Sequence, residues 1–192
     1  QTSSTADDGS AKGIKAGVSL VIDGGTWTID SSDDSLHSNS SLRINGGELV
    51  IASGDDGLHA DARLEINGGS IDLAKSYEGI ESSVIVLSAG TVRVAASDDG
   101  INGSGGADAS SVNGRPGQNM FESSNASLEI SGGYWYVDAG GDGIDINGTI
   151  AMTGGTVVVN GPTDNGNGPI DYIGSFDISG GLLVAAGSSG MA

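Results

Sequence analysis

The sequence predicts an all-β fold, a right-handed parallel β-helix (a solenoid) of about seven coils of ~22 residues, and three features carry that prediction. A Gly-Gly pair follows a short apolar segment at Gly24-Gly25, Gly46-Gly47, Gly68-Gly69, Gly132-Gly133, Gly154-Gly155 and Gly180-Gly181, with Ala89-Gly90 in the same place once. Apolar and polar residues alternate on both sides of each pair. A second marker keeps the same phase at Gly13-Ile14, Ser35-Leu36, Gly57-Leu58, Gly79-Ile80, Gly100-Ile101, Gly143-Ile144 and Pro169-Ile170. Self-similarity at such a period signals a repeat architecture, because one unit cannot bury its apolar face alone.

Counted on the second glycine, the steps are 22, 22, 21, 43, 22 and 26 residues. The double step is one coil carrying a loop insertion at about residues 102–125, since Ile101 to Leu128 spans 27 residues where Leu58 to Leu64 spans 6. Before the glycines stand Leu20 and Ile22, Leu42 and Ile44, Leu64 and Ile66, Ile85 and Leu87, Leu128 and Ile130, Ile150 and Met152, Phe176 and Ile178. After them stand Trp27 and Ile29, Leu49 and Ile51, Ile71 and Leu73, Val92 and Val94, Trp135 and Val137, Val157 and Val159. Period two marks strands with one buried face. A shorter strand falls at the second marker, and the connections are too short for helices. Leucine-rich repeats share a similar period, but their Asn and Leu spacing is not reproduced. In a β-helix every strand pairs with its counterpart one coil on, so like residues lie in columns roughly 4.8 Å apart and six steps build a rod roughly 29 Å long. No Pro or Ser tract divides the chain, and a single domain over residues 1–192 is expected.

Composition narrows the function. Asp and Glu outnumber Lys and Arg by 25 to 7, a net charge of −18, which argues against a nucleic-acid surface and makes cations the expected partners. Apolar runs are only a few residues long, far short of the roughly 20 that a membrane span needs, so no membrane insertion is expected. The chain opens at Gln1-Thr2-Ser3-Ser4 without the charged and apolar regions of an export signal, and the absence of cysteine fits export without disulfides. A secreted or cell-surface protein is expected.

Just before the second marker sit Asp33-Asp34, Asp55-Asp56, Tyr77-Glu78, Asp98-Asp99 and Gly141-Asp142. Stacking places these carboxylates one coil apart, where two like charges repel by about 1 kcal/mol in water and about 4 kcal/mol at an effective dielectric near 20. Arg43 shares a column with Glu65, and Asp72 with Arg93, which commits those basic residues elsewhere. A bound cation relieves the repulsion, and hard oxygen ligands without cysteine favour calcium over zinc. One residue past the marker's Ile or Leu, the column reads Lys15, His37, His59, Glu81, Asn102, Asp145, Asp171, so that Glu81, Asp145 and the nearby Asp61 complete the ligand sets. The candidate metal ligands are therefore Asp33, Asp34, Asp55, Asp56, Asp61, Glu78, Glu81, Asp98, Asp99, Asp142 and Asp145. Asp-Asp-Gly is also ordinary turn chemistry, with side chains capping local amides. Five acidic turns in register favour the ion. His37 and His59 read as an exposed turn pair open to a ligand, a solvated ladder rather than a zinc site. The nine-residue calcium β-roll motif is absent.

Asp23, Asn45, Asn67, Ser88, Ser131, Thr153 and Ser179 precede the glycine pair and predict a ladder of amides and hydroxyls. Tyr134 and Tyr136 flank the inward Trp135 and point outward together, where they stack on sugar rings or cover the base of the insertion, which carries Arg115, Met120 and Phe121. Arg115, His37 and His59 join the two tyrosines as candidate ligand-binding residues.

The segments Ser-Gly-Asp-Asp-Gly-Leu-His-Ala at Ser53 to Ala60, Ile-Asn-Gly-Gly at Ile66 to Gly69 and Ala-Ala-Ser-Asp-Asp-Gly-Ile-Asn at Ala95 to Asn102 carry a resemblance. The chain resembles the bacterial β-helix family of carbohydrate-binding domain-containing proteins, whose members look like polysaccharide lyases in fold. That resemblance implies calcium held by the Asp-Asp-Gly turns, here Asp33-Asp34, Asp55-Asp56 and Asp98-Asp99, and binding of cellulose or of an acidic plant polysaccharide such as polygalacturonate. The coils at Glu78 and Asp142 depart from the motif.

The expected function is non-catalytic, Ca2+-dependent binding of a plant cell-wall or acidic polysaccharide, with the ion bridging protein and sugar carboxylates. Two alternatives stand beside it. A calcium-dependent polysaccharide lyase needs a base near the ion, for which Arg63, Lys75 and Arg115 are the available residues. A structural or adhesive stalk, as part of a larger cell-surface protein, would use calcium only for rigidity. No regular outward Thr ladder supports ice binding.

Overall fold

The computed structural model describes residues 11–104 and 125–189, and every helix or strand among them is a strand. Coil 1 holds β1 (Ile14–Ala16), β2 (Ser19–Ile22) and β3 (Thr26–Ser31), and coil 2 holds β4 (Leu36–Ser38), β5 (Ser41–Ile44) and β6 (Glu48–Ser53). The next two coils are each one continuous strand that bends round all three sides, β7 (Leu58–Ser76) and β8 (Ile80–Ala96). Coil 5 holds β9 (Ile101–Gly103), β10 (Ala126–Ile130) and β11 (Tyr134–Ala139). Coil 6 holds β12 (Ile144–Ile146), β13 (Gly148–Met152) and β14 (Thr156–Asn160), and coil 7 holds β15 (Asp171–Tyr172), β16 (Phe176–Ile178) and β17 (Leu182–Ala186). The double-length step falls between β9 and β10, as the spacing requires; Arg115, Met120 and Phe121 lie outside the described residues.

All pairings are parallel, and each joins a strand to its counterpart one coil on. One column runs Leu20, Leu42, Leu64, Ile85, Leu128, Ile150, Phe176. A second runs Trp27, Leu49, Ile71, Val92, Trp135, Val157, Leu183. The short strands contribute a third, Ile14, Leu36, Leu58, Ile80, Ile101, Ile144. Middle coils bury these side chains completely; Leu42, Leu58, Leu64, Ile80 and Leu128 have no exposed surface. Each such side chain contributes roughly 1.5–3 kcal/mol relative to exposure. Coils at either end are covered from one side only among the described residues, so Trp27 and Ile178, expected to face inward, are 37% and 51% exposed. Trp135, in the middle, is buried and donates its Nε1–H to the Gly132 carbonyl at 2.7 Å.

The second glycine of every pair has positive φ, between 82° at Gly133 and 115° at Gly90. At Gly69 (φ 96°) a Cβ would stand 2.9 Å from the Gly47 carbonyl oxygen of the coil below. Glycine is therefore required twice there, by the backbone angle and by the close approach of the neighbouring turn. Beside this column the predicted ladder forms: Asn45 Nδ2 donates to Asp23 Oδ1 (2.6 Å), Asn67 Nδ2 to Asn45 Oδ1 (3.0 Å) and Ser88 Oγ to Asn67 Oδ1 (2.8 Å). The register of β7 with β8 shifts at four points, and that of β6 with β7 shifts once, where Ile51 pairs with Leu73 but Ala52 with Lys75. On β7 this last shift lies just before the corner at Tyr77-Glu78. Gly69→Ala should cost about 1–3 kcal/mol in urea or thermal unfolding, whereas Gly17→Ala, where a Cβ meets nothing within 4 Å, should stay within about 0.5 kcal/mol.

Candidate metal centre

The acidic turns form a corner of the rod, and the stacking of coils buries it. Asp34 and Asp56 have no exposed surface, and Asp33, Asp55, Glu78 and Asp99 are also buried. Burial of charge in this way costs several kcal/mol per ion unless hydrogen bonds and opposite charges offset it. Part of the offset comes from backbone amides. Asp34 Oδ1 accepts the Asp56 N–H at 3.2 Å, Asp99 Oδ1 the Asp142 N–H at 2.7 Å and Asp142 Oδ1 the Gly168 N–H at 2.5 Å. The capping anticipated within one turn thus runs mainly between coils, from a carboxylate to the next corner.

In coils 1 to 4 the protein supplies cations of its own. Lys12 Nζ lies 3.1 Å from Asp33 Oδ1 and 2.5 Å from Asp34 Oδ2. Burial works against its charge, but hydrogen bonds and attraction from Asp34 and Asp33 raise its pKa above the ordinary lysine value. His37 Nδ1 is 2.7 Å from Asp34 Oδ2, and its Nε2 is 2.9 Å from Asn39 Oδ1. His59 Nδ1 faces Asp56 Oδ2 at 3.0 Å and Glu81 Oε2 at 2.8 Å, and its Nε2 faces Asp61 Oδ1 at 3.1 Å. Burial disfavours the imidazolium of His59, yet the hydrogen bonds to Asp56 and Glu81 prevail and push it up to about 11. Asp56 is raised well above the carboxylate range by burial and by repulsion from Glu81 and Glu78, against the His59 hydrogen bond; for Glu81 burial also opposes ionisation, but the His59 contact lowers it on balance.

The two histidines are neither exposed nor solvated, contrary to expectation. His37 is 4% and His59 1% exposed, because each corner is covered by the next. Their rings stack with centroids 4.7 Å apart and planes within 4° of parallel. Ring lone pairs lie in the ring plane, so two parallel rings do not converge on one ion, and the pair as such is not a shared metal ligand. Lys12 was missed by the sequence reading, although it stands one residue before Gly13-Ile14, in the column of Asp34 and Asp56.

Coils 5 and 6 are different. Asp99, Asp142 and Asp145 each bring a carboxylate oxygen within 4.8 Å of the others. No Lys, Arg or His among the described residues forms an ion pair with Asp99 or Asp142. Burial, then repulsion by Asp98 and Asp145, pushes Asp99 up to about 8. Burial, with repulsion from Asp171, Asp98 and Asp164, also raises Asp142, although its hydrogen bond from Gly168 acts in the other direction. Gly141 occupies the place that Asp33 and Asp55 fill in earlier coils. A Cβ there would lie 2.5 Å from both Asp98 Oδ1 and Asp99 Oδ1, so the glycine keeps open a space on which two carboxylates converge. Asn102, in register with Asp145, spends Nδ2 on Glu78 Oε2 (2.7 Å), while its buried Oδ1 has no hydrogen-bond partner. This all-oxygen set suits calcium.

Away from the corner, Tyr134 is 43% exposed and Tyr136 half-buried on the outer face of β11. They stand in register with Thr156 and Val158, which in turn match Leu182 and Val184, both exposed. The outward face thus carries Tyr134, Tyr136, Val158, Leu182 and Val184 beside the polar Thr156, Asp138 and Asn160. Arg43 and Arg63 both bind Glu65, and Arg93 binds Asp72. Those surface pairs contribute little stability, about 1 kcal/mol or less each, but they fix where the guanidinium groups are.

The family model described as "Carbohydrate-binding domain-containing protein" matches residues 1–57, which take in the first two coils and the corner Asp55-Asp56-Gly57. The match supports carbohydrate binding in general. Comparison with the curated proteins gave no significant match, and comparison with the solved structures gave none.

The raised pKa of Asp99 has a definite sign. With a folded value near 8 against 3.8 for the free group, its contribution is fully favourable below pH 3.8 and is lost as pH rises through about 8. In chelator, therefore, the melting temperature should fall across that window. Asp99→Asn should flatten the fall and raise the melting temperature at pH 8, by about 2–4 °C for each kcal/mol relieved in a chain of this size. Thermal melts of both proteins from pH 4 to 9 check this; parallel curves would contradict it.

Proposed function

We propose that this protein is a non-catalytic module that binds an acidic polysaccharide of the polygalacturonate type at the cell surface or outside the cell, with Ca2+ as the bridge. The observation that carries the reading is the group Asp99, Asp142 and Asp145, a buried carboxylate and two at least partly buried ones gathered within 4.8 Å in a chain of net charge −18. A uronate polymer approaching such a surface meets repulsion, and a divalent ion shared between protein and sugar oxygens reverses its sign. The residues fit the ion: three carboxylates and the space kept by Gly141 supply hard oxygens and room. Tyr134 and Tyr136 support the sugar itself. Tyr136 precedes Asp142 by six residues, so the aromatic face and the acidic corner lie on adjoining sides of the rod, within about 20 Å. Apolar C–H faces of sugar rings pack on exposed aromatic rings.

Of the bases a lyase could use, Arg63 is engaged with Glu65, which weakens that alternative at Arg63; Lys75 forms no ion pair among the described residues, and Arg115 lies outside them.

Retention on immobilised polygalacturonate should require calcium and disappear in chelator. Gly141→Ala should weaken calcium binding by filling the space beside Asp98 and Asp99, and Tyr134→Ala should lower retention about 3–10-fold while leaving calcium affinity unchanged. Equal retention with and without chelator would remove calcium from the reading. Appearance of unsaturated uronate in the same mixture would replace binding by lysis.

A further inference from the structure

A second cation site, of different chemistry, lies two coils away. We propose that Asp56, His59 and Glu81 form a buried binding site for a divalent transition-metal ion of the zinc class, separate from the calcium site. His59 Nδ1 has Asp56 Oδ2 at 3.0 Å and Glu81 Oε2 at 2.8 Å, so one nitrogen and two carboxylate oxygens already converge. These separations are slightly shorter than those between neighbouring ligands of a tetrahedral zinc ion with bonds of about 2.0–2.2 Å. A small outward adjustment admits the metal.

Two further observations point to an ion. Asp34, Asp99 and Asp142 each give Oδ1 to the corner amide of the next coil. Asp56 does not: its Oδ1 is buried without a hydrogen-bond partner. On β7 the register shifts between Leu73 and Lys75, and again against β8 between Leu73 and Ser76, just before the Tyr77-Glu78 corner that would have supplied that amide, and bulges of this kind re-aim side chains. Asp56 thus retains an oxygen to offer beside the one already at His59. The second observation is the outer layer. His59 Nε2 is tied to Asp61 Oδ1 at 3.1 Å, and Glu81 Oε1 accepts from Ser104 Oγ at 2.6 Å. A histidine whose far nitrogen donates to a carboxylate is held in the tautomer and orientation that metal ligation uses.

Nitrogen in the set excludes calcium as the preferred ion and favours zinc or its neighbours. Charge agrees, since a divalent ion with neutral His59 and two carboxylates sums to zero. The ion would displace the proton now shared at Nδ1, so binding should release protons and strengthen as pH rises. His37 takes no part, because its ring is parallel to that of His59 and its Nδ1 is turned to Asp34.

Cobalt(II) is the probe, titrated into chelator-stripped protein near neutral pH and read by its visible absorption. One equivalent should give a saturable low-symmetry spectrum that zinc abolishes and excess calcium leaves intact. His59→Gln should weaken cobalt binding by more than the ~10–100-fold that losing an outer-layer partner costs, whereas Asp99→Asn should leave it unchanged and lose only calcium binding. If His59→Gln fails to fold, judged by its circular dichroism, Glu81→Gln is read in its place with the same expectation. No saturable spectrum, cobalt binding unaffected by the His59 or Glu81 variant, or displacement by calcium would each overturn the proposal without touching the calcium reading.

Discussion

Parallel pairing in register is the constraint from which the rest of this molecule follows. A strand here has one partner on each side, its own counterpart in the adjacent coil, so every position is multiplied into a column. For apolar residues the multiplication is favourable: Leu42 on Leu64 on Ile85 builds a core from chains that individually have none. For turns it is restrictive, since the carbonyl of Gly47 leaves no room for a side chain at position 69. For charges it is costly, and each acidic column needs its own compensation.

The molecule compensates its acid column in two ways. Lys12 and His59 place positive charge among Asp33, Asp34, Asp56 and Glu81, and the carboxylates hold those groups protonated in return. Farther along, at Asp99 and Asp142, compensation comes from amides, while burial and mutual repulsion still drive the carboxyl pKa upward. Apart from Lys12, the difference between the halves lies in one column, which reads histidine at 37 and 59, glutamate at 81, asparagine at 102 and aspartate at 145. The same backbone position is a counter-ion at His59 and a carboxylate at Asp145.

Most of the fold was legible because stacking converts spacing into contact. The columns of Leu20 and Trp27, the pairing of Arg43 with Glu65 and the ladder from Asp23 to Ser88 all follow from counting. What counting misjudged was depth. A turn residue is ordinarily solvated, and His37 and His59 read as exposed for that reason, but in a solenoid the next turn lies on top. Lys12 escaped for a related cause: the column was read from Asp33 onward, and the residue of opposite sign one step earlier was passed over. Side-chain direction was beyond reach as well. Nothing in the spacing distinguishes Asp56, whose Oδ1 finds no amide, from Asp34, whose Oδ1 does.

Sites assembled from columns are also interfaces between coils, so an ion held there would have mechanical weight. Asp56 and His59 belong to one coil and Glu81 to the next; Asp99 belongs to one and Asp142 and Asp145 to the next. In a solenoid, stability is the sum of coil terms and nearest-neighbour terms, so a ligand spanning two coils strengthens the neighbour term directly. The Asp99 set spans more than that in sequence, since 142 − 99 = 43 residues, including the whole double-length step, separate its first two members. Closing a loop of that length costs the unfolded chain more entropy than closing an ordinary coil, although only by about 0.6 kcal/mol for a doubling. The gain would be modest, but it would fall across the double-length step between β9 and β10.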